Sequence, residues 1–321
     1  MKKFNYIPIY ILMLTAAFCF TACSDDDDEG SGAPKKENSF ITADNGDKLL
    51  LTNNGKSSFT YNSEGLLTKL SGRYNSLNIS YNPCTFNSES GDLENYSFKL
   101  NGAGYVGEAS GTYEDNGNGF YEKGSERVSY SYDSKGHLTR ISASSSYYGT
   151  DEGERFSGSS RYTSIFTWNN DNLTKVVTNY EYAEDGEKES GTDTYTLTYG
   201  DNAHENRLGQ FSHSIAEAYI DVVEDYYEIC FSGFFGKPSK YFPTKVECYD
   251  EEGYRDFSIN AIYTFNNNGT LAREYHNSTT SYYPYSYSNA PTATQNAKAM
   301  PAFASGKSIK SHKLLRSHRK K

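Results

Sequence analysis

One recurring phrase constrains this chain more than any other feature. It reads aromatic, Asn or Asp, two polar residues, Gly, a variable residue, Leu, then Thr or Ala and a basic residue. Copies begin at Tyr61, Tyr132, Trp168 and Phe265. In each, Asn62, Asp133, Asn169 or Asn266 can accept a hydrogen bond from a backbone N–H two residues on, which is expected to open a turn. Gly65, Gly136 and Gly269 then supply the positive-φ residue that returns the chain into an antiparallel partner. The Trp168 copy lacks this glycine, so Asp171 or Asn172 is expected in the left-handed position. A second aromatic (Phe59, Tyr130, Phe166 or Tyr263) stands two residues before each copy, and a spacing of two puts both rings on one sheet face. Each copy is therefore a β-hairpin.

Leu67 and Leu70 are three apart, as are Leu138 and Ile141, so strict alternation cannot put both on one face. Either a bulge follows the turn or both faces carry apolar surface. Further hairpins are read at Phe98–Leu100 followed by NGAG, at 246–249 followed by DEEG, and at 179–182 followed by AEDG. With 30 Tyr and 18 Phe in 321 residues, the composition also favours pleated surfaces. The fold class is mainly β: a long antiparallel meander of hairpins, forming an open sheet, a sandwich or a partial barrel. Unequal intervals between copies exclude a solenoid of fixed units. One region breaks the rhythm. Ile215, Ala218, Tyr219, Val222, Val223 and Tyr226 follow helical spacing, with Ser214 and Glu217 as a capping box. An amphipathic helix near 213–230 is expected to cover one face of the sheet.

The first 22 residues read as a signal peptide, with Lys2 and Lys3 ahead of an apolar run from Ile7 to Phe20. The ending Phe20-Thr21-Ala22-Cys23 resembles a bacterial lipoprotein box, which implies a lipidated Cys23 that tethers the mature chain without spanning the bilayer. Residues 23–38 form an acidic, flexible tether, and SDDDDEG beside the lipid site looks like an export signal to the cell exterior. The β-rich domain then runs over 39–290, and 291–321 is a basic tail. The formal charge of -10 argues against nucleic acid as a partner. The tail alone carries Lys307, Lys310, Lys313, Arg316, Arg319, Lys320 and Lys321, which fits phosphate-rich lipopolysaccharide or the acidic body of the same protein.

The lipoprotein box and the hairpins, together with YGD at 199–201 and FGKPSKYFP at 235–243, resemble an uncharacterised family of bacterial surface lipoproteins. That family is defined only as a domain of unknown function with YD-like hairpin repeats. The resemblance spans 40–288. The lipoprotein box and the acidic run beside it imply an outer-membrane location facing the cell exterior, with a periplasm-facing lipoprotein as the alternative.

Motifs for chemistry are sparse. No nucleophile elbow, zincin helix, phosphate loop or dinucleotide fingerprint is present, and DNGNG at 115–119 lacks the distal Glu of a calcium loop. No cofactor or metal is expected. Cys84, Cys230 and Cys248 have no zinc spacing, and Cys230 with Cys248 is the candidate disulfide in an oxidising envelope. Tyr130, Tyr132, Phe166 and Trp168 are the candidate ligand-facing aromatics if part of the sheet stays open, joined by Tyr-rich loops near Tyr147 and Tyr282. These residues point to a non-catalytic binding or structural module for glycans or another envelope component. The alternatives are a polysaccharide-acting hydrolase and an envelope-assembly or lipid-carrying lipoprotein.

Overall fold

A computed structural model describes residues 39–72, 76–89, 93–117, 120–219, 223 and 226–290. The leader, Cys23, the tether and the basic tail lie outside the described residues. Six short strands come first: β1 (Ile41–Thr42), β2 (Lys48–Asn53), β3 (Ser58–Tyr61), β4 (Leu67–Ser71), β5 (Ser76–Tyr81) and β6 (Cys84–Ser88). The strands then lengthen through β7 (Leu93–Leu100), β8 (Val106–Gly117), β9 (Phe120–Tyr132), β10 (Leu138–Asp151), β11 (Glu154–Asn169), β12 (Asn172–Glu184) and β13 (Glu187–Thr198). The described residues of 199–244 lie outside the sheet and contain the helix α1 (His213–Ala216). The chain returns through β14 (Lys245–Tyr249), β15 (Arg255–Phe265), β16 (Leu271–His276), β17 (Tyr282–Pro284) and β18 (Ser286–Asn289).

Every pairing in this 18-stranded sheet is antiparallel, and from β2 to β17 each strand pairs with the next. The last segment links the two ends of the meander. β17 lies on β16, the chain hands over at Tyr285, and β18 lies on β2. No continuous ladder crosses that handover, so the sheet is curled but not closed.

The hairpin phrase has a mechanical explanation. Asn62 Oδ1 accepts from the N–H groups of Glu64 and Leu66, and Asp133 Oδ1 does the same for Lys135 and His137. Asn101 and Asp250 repeat the arrangement in NGAG and DEEG. In the Trp168 copy Asn170 and Asp171 take positive φ, at 49° and 62°. A register shift follows the turns at Tyr61, Leu138, Trp168 and Phe265, so the bulge is the correct alternative, and Leu67 and Leu70 both reach the core. A bulge takes backbone groups out of the regular ladder. A neighbouring aromatic supplies the missing partner: Tyr81 OH donates to Leu67 O, Tyr132 OH to Val106 O, Trp168 Nε1 to Leu138 O and Tyr199 OH to Leu173 O, at 2.7–2.9 Å. Each hairpin therefore clasps the one before it.

The helix departs from expectation. Among the described residues only one turn is α-helical, with 3-10 turns at Glu217–Tyr219 and Tyr227–Ser232, and the N-cap is Ser212 rather than Ser214. The segment does cover one face of the sheet, and that face is the inner one. Phe231 packs on Phe59 of β3, Phe234 on Phe86 and Phe98 of β6 and β7, and Phe235 on Tyr130 of β9. Tyr219 meets Phe166 of β11, Phe242 meets Tyr263 of β15, and His213 meets Tyr283 of β17. Contacts from β3 round to β17 mean that the sheet wraps this segment. It is an internal plug: its described apolar residues, among them Phe211, Ile215, Tyr219, Phe234 and Phe235, are buried because the sheet curls right round them, while Lys237 and Lys240 reach solvent.

The plug also seals the end of the sheet that carries the Gly65, Gly136 and Gly269 turns, here the glycine-turn end. Lys237 N donates to Gly136 O, Lys240 N to Asp171 O, and Ser239 Oγ accepts from Leu173 N. At Gly236, with φ 87°, a Cβ would lie 2.5 Å from Gly136 O, so this close approach needs glycine.

Candidate functional site

Two places gather chemistry-bearing side chains. The first is buried. Glu274 on β16 has no exposed surface, yet five donors converge on its carboxylate. Oε2 accepts from His213 N at 2.7 Å and Tyr285 OH at 2.6 Å; Oε1 accepts from Ser214 N at 2.8 Å, from Ser214 Oγ, and faces His276 Nε2 at 2.9 Å. Burial alone would raise its pKa, but hydrogen bonding and charge from His276, then His213 and Ser214, hold it down to about 2. His213 is lowered to about 3, first by burial and then by Lys56, against the pull of Glu274.

Ser214, His276 and Glu274 are the residue types of a charge-relay triad, but their geometry is not one. The same ring nitrogen of His276 faces both Ser214 Oγ, at 3.3 Å, and Glu274. The Ser214 hydroxyl donates to the carboxylate and is itself wholly buried, so no base can activate it and no substrate can reach it. The cluster instead receives the N–H groups at the start of α1 and ties the plug to β16. Sequence reasoning missed it, because it gives Ser214 to a capping box with Glu217, while Glu274 lies 60 residues away and belongs to no motif.

The second place is the inward face of β8–β13, beyond the plug. Along β11 the inward positions pass from buried Phe166 and Ser164 to half-buried Tyr162, Ser160 and Phe156. The same passage on β9 runs from Tyr130 and Val128 to Glu122 and Phe120. Rings on this stretch lie over glycines of the adjacent strand. A Cβ on Gly124 would meet the Tyr113 ring, one on Gly158 the Tyr147 ring, one on Gly149 the Phe156 ring and one on Gly191 the Tyr180 ring, each within 2.2–2.6 Å. Missing side chains thus let large rings lie flat against the backbone. Phe120 and Phe156 lie 5.9 Å apart with planes 12° from parallel.

Between the rings stand acids. Alternation from the buried positions puts Asp115, Glu122, Glu126, Glu184, Glu187, Glu189 and Asp193 on the inward face, with no Lys or Arg at the described inward positions of β8–β13. Tyr96 OH donates to Glu126 at 2.7 Å, and Tyr147 OH to Glu184 at 3.3 Å. Burial, then the negative charge of Asp193, Glu251, Glu189 and Asp250, pushes the Tyr180 hydroxyl up to about 12. Among the described residues, no cluster of three metal-ligating side chains occurs.

The aromatics selected from sequence fall elsewhere. Tyr130 and Phe166 are core residues, 6 % and 5 % exposed, because the plug covers the face they share. Tyr132 and Trp168 sit at the core rim, with their polar tips on backbone carbonyls and Trp168 stacked on His137 at 4.2 Å. The segments around Tyr147 and Tyr282 are strands rather than loops; Tyr147 points inward, and Tyr148 is 57 % exposed on the outside. Cys84, Cys230 and Cys248 are buried free thiols. Cys230 belongs to the plug and Cys248 to β14, and no disulfide joins them.

Outward positions of the long strands are hydrophilic: Ser142, Ser144 and Ser146 on β10, and Ser157, Ser159, Arg161 and Thr163 on β11. Among the described residues, no helix is long and apolar enough to cross a membrane.

No protein-family model matches the chain, and no curated protein matches it. The family resemblance drawn from the motifs therefore has no counterpart among known family models. Among solved structures, a porin-like protein from Bacteroides vulgatus ATCC 8482 is similar with a TM-score of 0.51 at 13 % identity, covering 77 % of this chain and 98 % of that one. A porin-like protein from Bacteroides uniformis ATCC 8492 aligns with a TM-score of 0.28 at 11 % identity, over 68 % and 93 % of the two chains. The first likeness is one of fold.

Proposed function

We propose that this chain is a lipid-anchored protein of the bacterial outer membrane that stands in water on the cell surface as a non-catalytic binding or structural module. The carrying observation is the filled interior. A pore needs an open lumen and an apolar outer belt, with polar residues inside. Here the inside is packed with Phe211, Tyr219, Phe234 and Phe235, and the outside of the long strands is dominated by Ser, Thr and Arg, with few apolar residues such as Tyr148 and Ile165. A porin-like fold with inverted polarity suits an anchored, water-facing sheet, and the leader ending at Cys23 supplies the anchor. Both chain ends support one orientation. Ser39 N donates to Gly65 O, and Ala290 N to Lys48 O, so the tether and the tail leave at the glycine-turn end. The half-buried rings of β8–β13 then face away from the membrane, where flat aromatic surfaces suit the C–H faces of sugar rings.

Cells fed labelled palmitate test the anchor: label is expected on the wild-type chain and absent from Cys23→Ala. Protease added to intact cells tests the orientation, with cleavage of the wild-type chain expected. A wild-type chain that takes no label, or one that is protected until the outer membrane is broken, overturns the proposal.

A further inference from the structure

The long strands sort charge by face. Outward positions carry both signs, including Arg127, Arg140, Arg155 and Arg161, whereas the described inward positions carry only acids. Packing of rings does not require that. Asp115 lies directly opposite Glu122, and Glu184 opposite Glu187, which are repulsive pairs in an antiparallel ladder. Such a face, with flat rings between its carboxylates, fits a cationic chain through ion pairing and cation–π contact. The protein carries such a chain itself. No acidic residue follows Glu274, and residues 307–321 include seven Lys and Arg.

We propose that residues 307–321 dock on the inward face of β8–β13. The inference concerns the purified chain and does not depend on the lipid anchor. Reach permits it: β9, at 13 residues, is ~43 Å long, and the 17 residues from Ala290 to Lys307 span up to ~56 Å at about 3.3 Å each.

The test uses a fluorescent synthetic peptide of residues 307–321 and the chain from residue 24 onward. In a tail-neutral version, the seven basic residues of 307–321 are replaced by Gln. Saturable, salt-sensitive binding is expected on the tail-neutral chain. Binding at least ten-fold weaker is expected on the wild-type chain, whose own tail occupies the face. The triple variant Tyr182→Ala, Glu187→Gln, Glu189→Gln, made in the tail-neutral chain at partly or fully exposed positions, is expected to weaken it at least ten-fold. Absence of saturable binding overturns the proposal. So does equal binding to the wild-type and tail-neutral chains, which means that the face takes outside cations while the tail lies elsewhere. Binding that survives the triple variant, as it would if the acidic run at 25–29 held the peptide, overturns it too.

Discussion

Single side chains in this fold do work that the ladder cannot. The carbonyls of Val106, Leu138 and Leu173 lie next to turns, and an aromatic from the neighbouring hairpin donates to each. Tyr132→Phe and Tyr199→Phe keep the ring and remove only the donor. Each is expected to lower unfolding free energy by about 1–2 kcal/mol in urea titrations, since the buried acceptor loses its partner. A change within 0.3 kcal/mol would mean that water reaches those carbonyls. Glu274 is the sharper case. Every group aimed at its two oxygens is a donor or a ring nitrogen, so Glu274→Gln turns an acceptor into an amide that opposes N–H and O–H groups. A loss of about 3–5 kcal/mol is expected, as when a buried charge pair is broken.

The same residues set a pH dependence. The folded pKa of Glu274 is lowered to about 2, so its contribution is present above the unfolded value near 4.5 and fades as pH falls towards 2. His213 is lowered to about 3, so below pH 6.5 the unfolded state takes up a proton that the folded state refuses. Both act in one direction. Urea midpoints are expected to fall steadily from pH 7 to pH 4, and a flat profile would remove His213 from the account.

At the scale of elements, the plug and the strands depend on each other. Phe234 and Phe235 are buried against Phe86, Phe98 and Tyr130, on strands from β6 to β9. Phe234→Ala or Phe235→Ala is expected to cost about 3–5 kcal/mol. Because one segment touches strands from β3 to β17, amides of β5 and β15 are expected to lose hydrogen-exchange protection together. Faster exchange confined to β6–β9 would mean that the sheet holds its curl without the plug. The hairpins were legible in sequence because each is local: an Asx residue, a glycine and an aromatic within ten positions specify turn, return and face. The plug was not. Periodicity at Ile215, Ala218 and Tyr219 indicates an apolar stripe, but burial on the remaining sides depends on how far the sheet curls, and that is set by strands over a hundred residues away. The inward acids were hidden for a related reason. Glu122, Glu184 and Glu189 share a face only once the four ladders from β9 to β13 are in register.

For the whole molecule, the decisive property is which side of the sheet meets water. In a membrane-spanning barrel, transferring a row of Ser and Arg side chains into hydrocarbon costs several kcal/mol per charge near the midplane. β11 alone presents Arg155, Ser157, Ser159 and Arg161 outward, and β10 answers with Arg140, Ser142, Ser144 and Ser146. Exposed apolar residues on the outside come in small groups, Ile165 opposite Val177 and Ile262 opposite Tyr275 beside Tyr282, separated by the serine and arginine rows. The chain from residue 24 onward is therefore expected to purify without detergent, to sediment as a single species and to give a β-rich circular dichroism spectrum unchanged by added micelles. A chain that folds only when micelles or vesicles are supplied would mean that its strands are solvated by lipid. Polarity would then have to be satisfied by assembly of several copies, with the serine-rich faces turned towards one another instead of towards water.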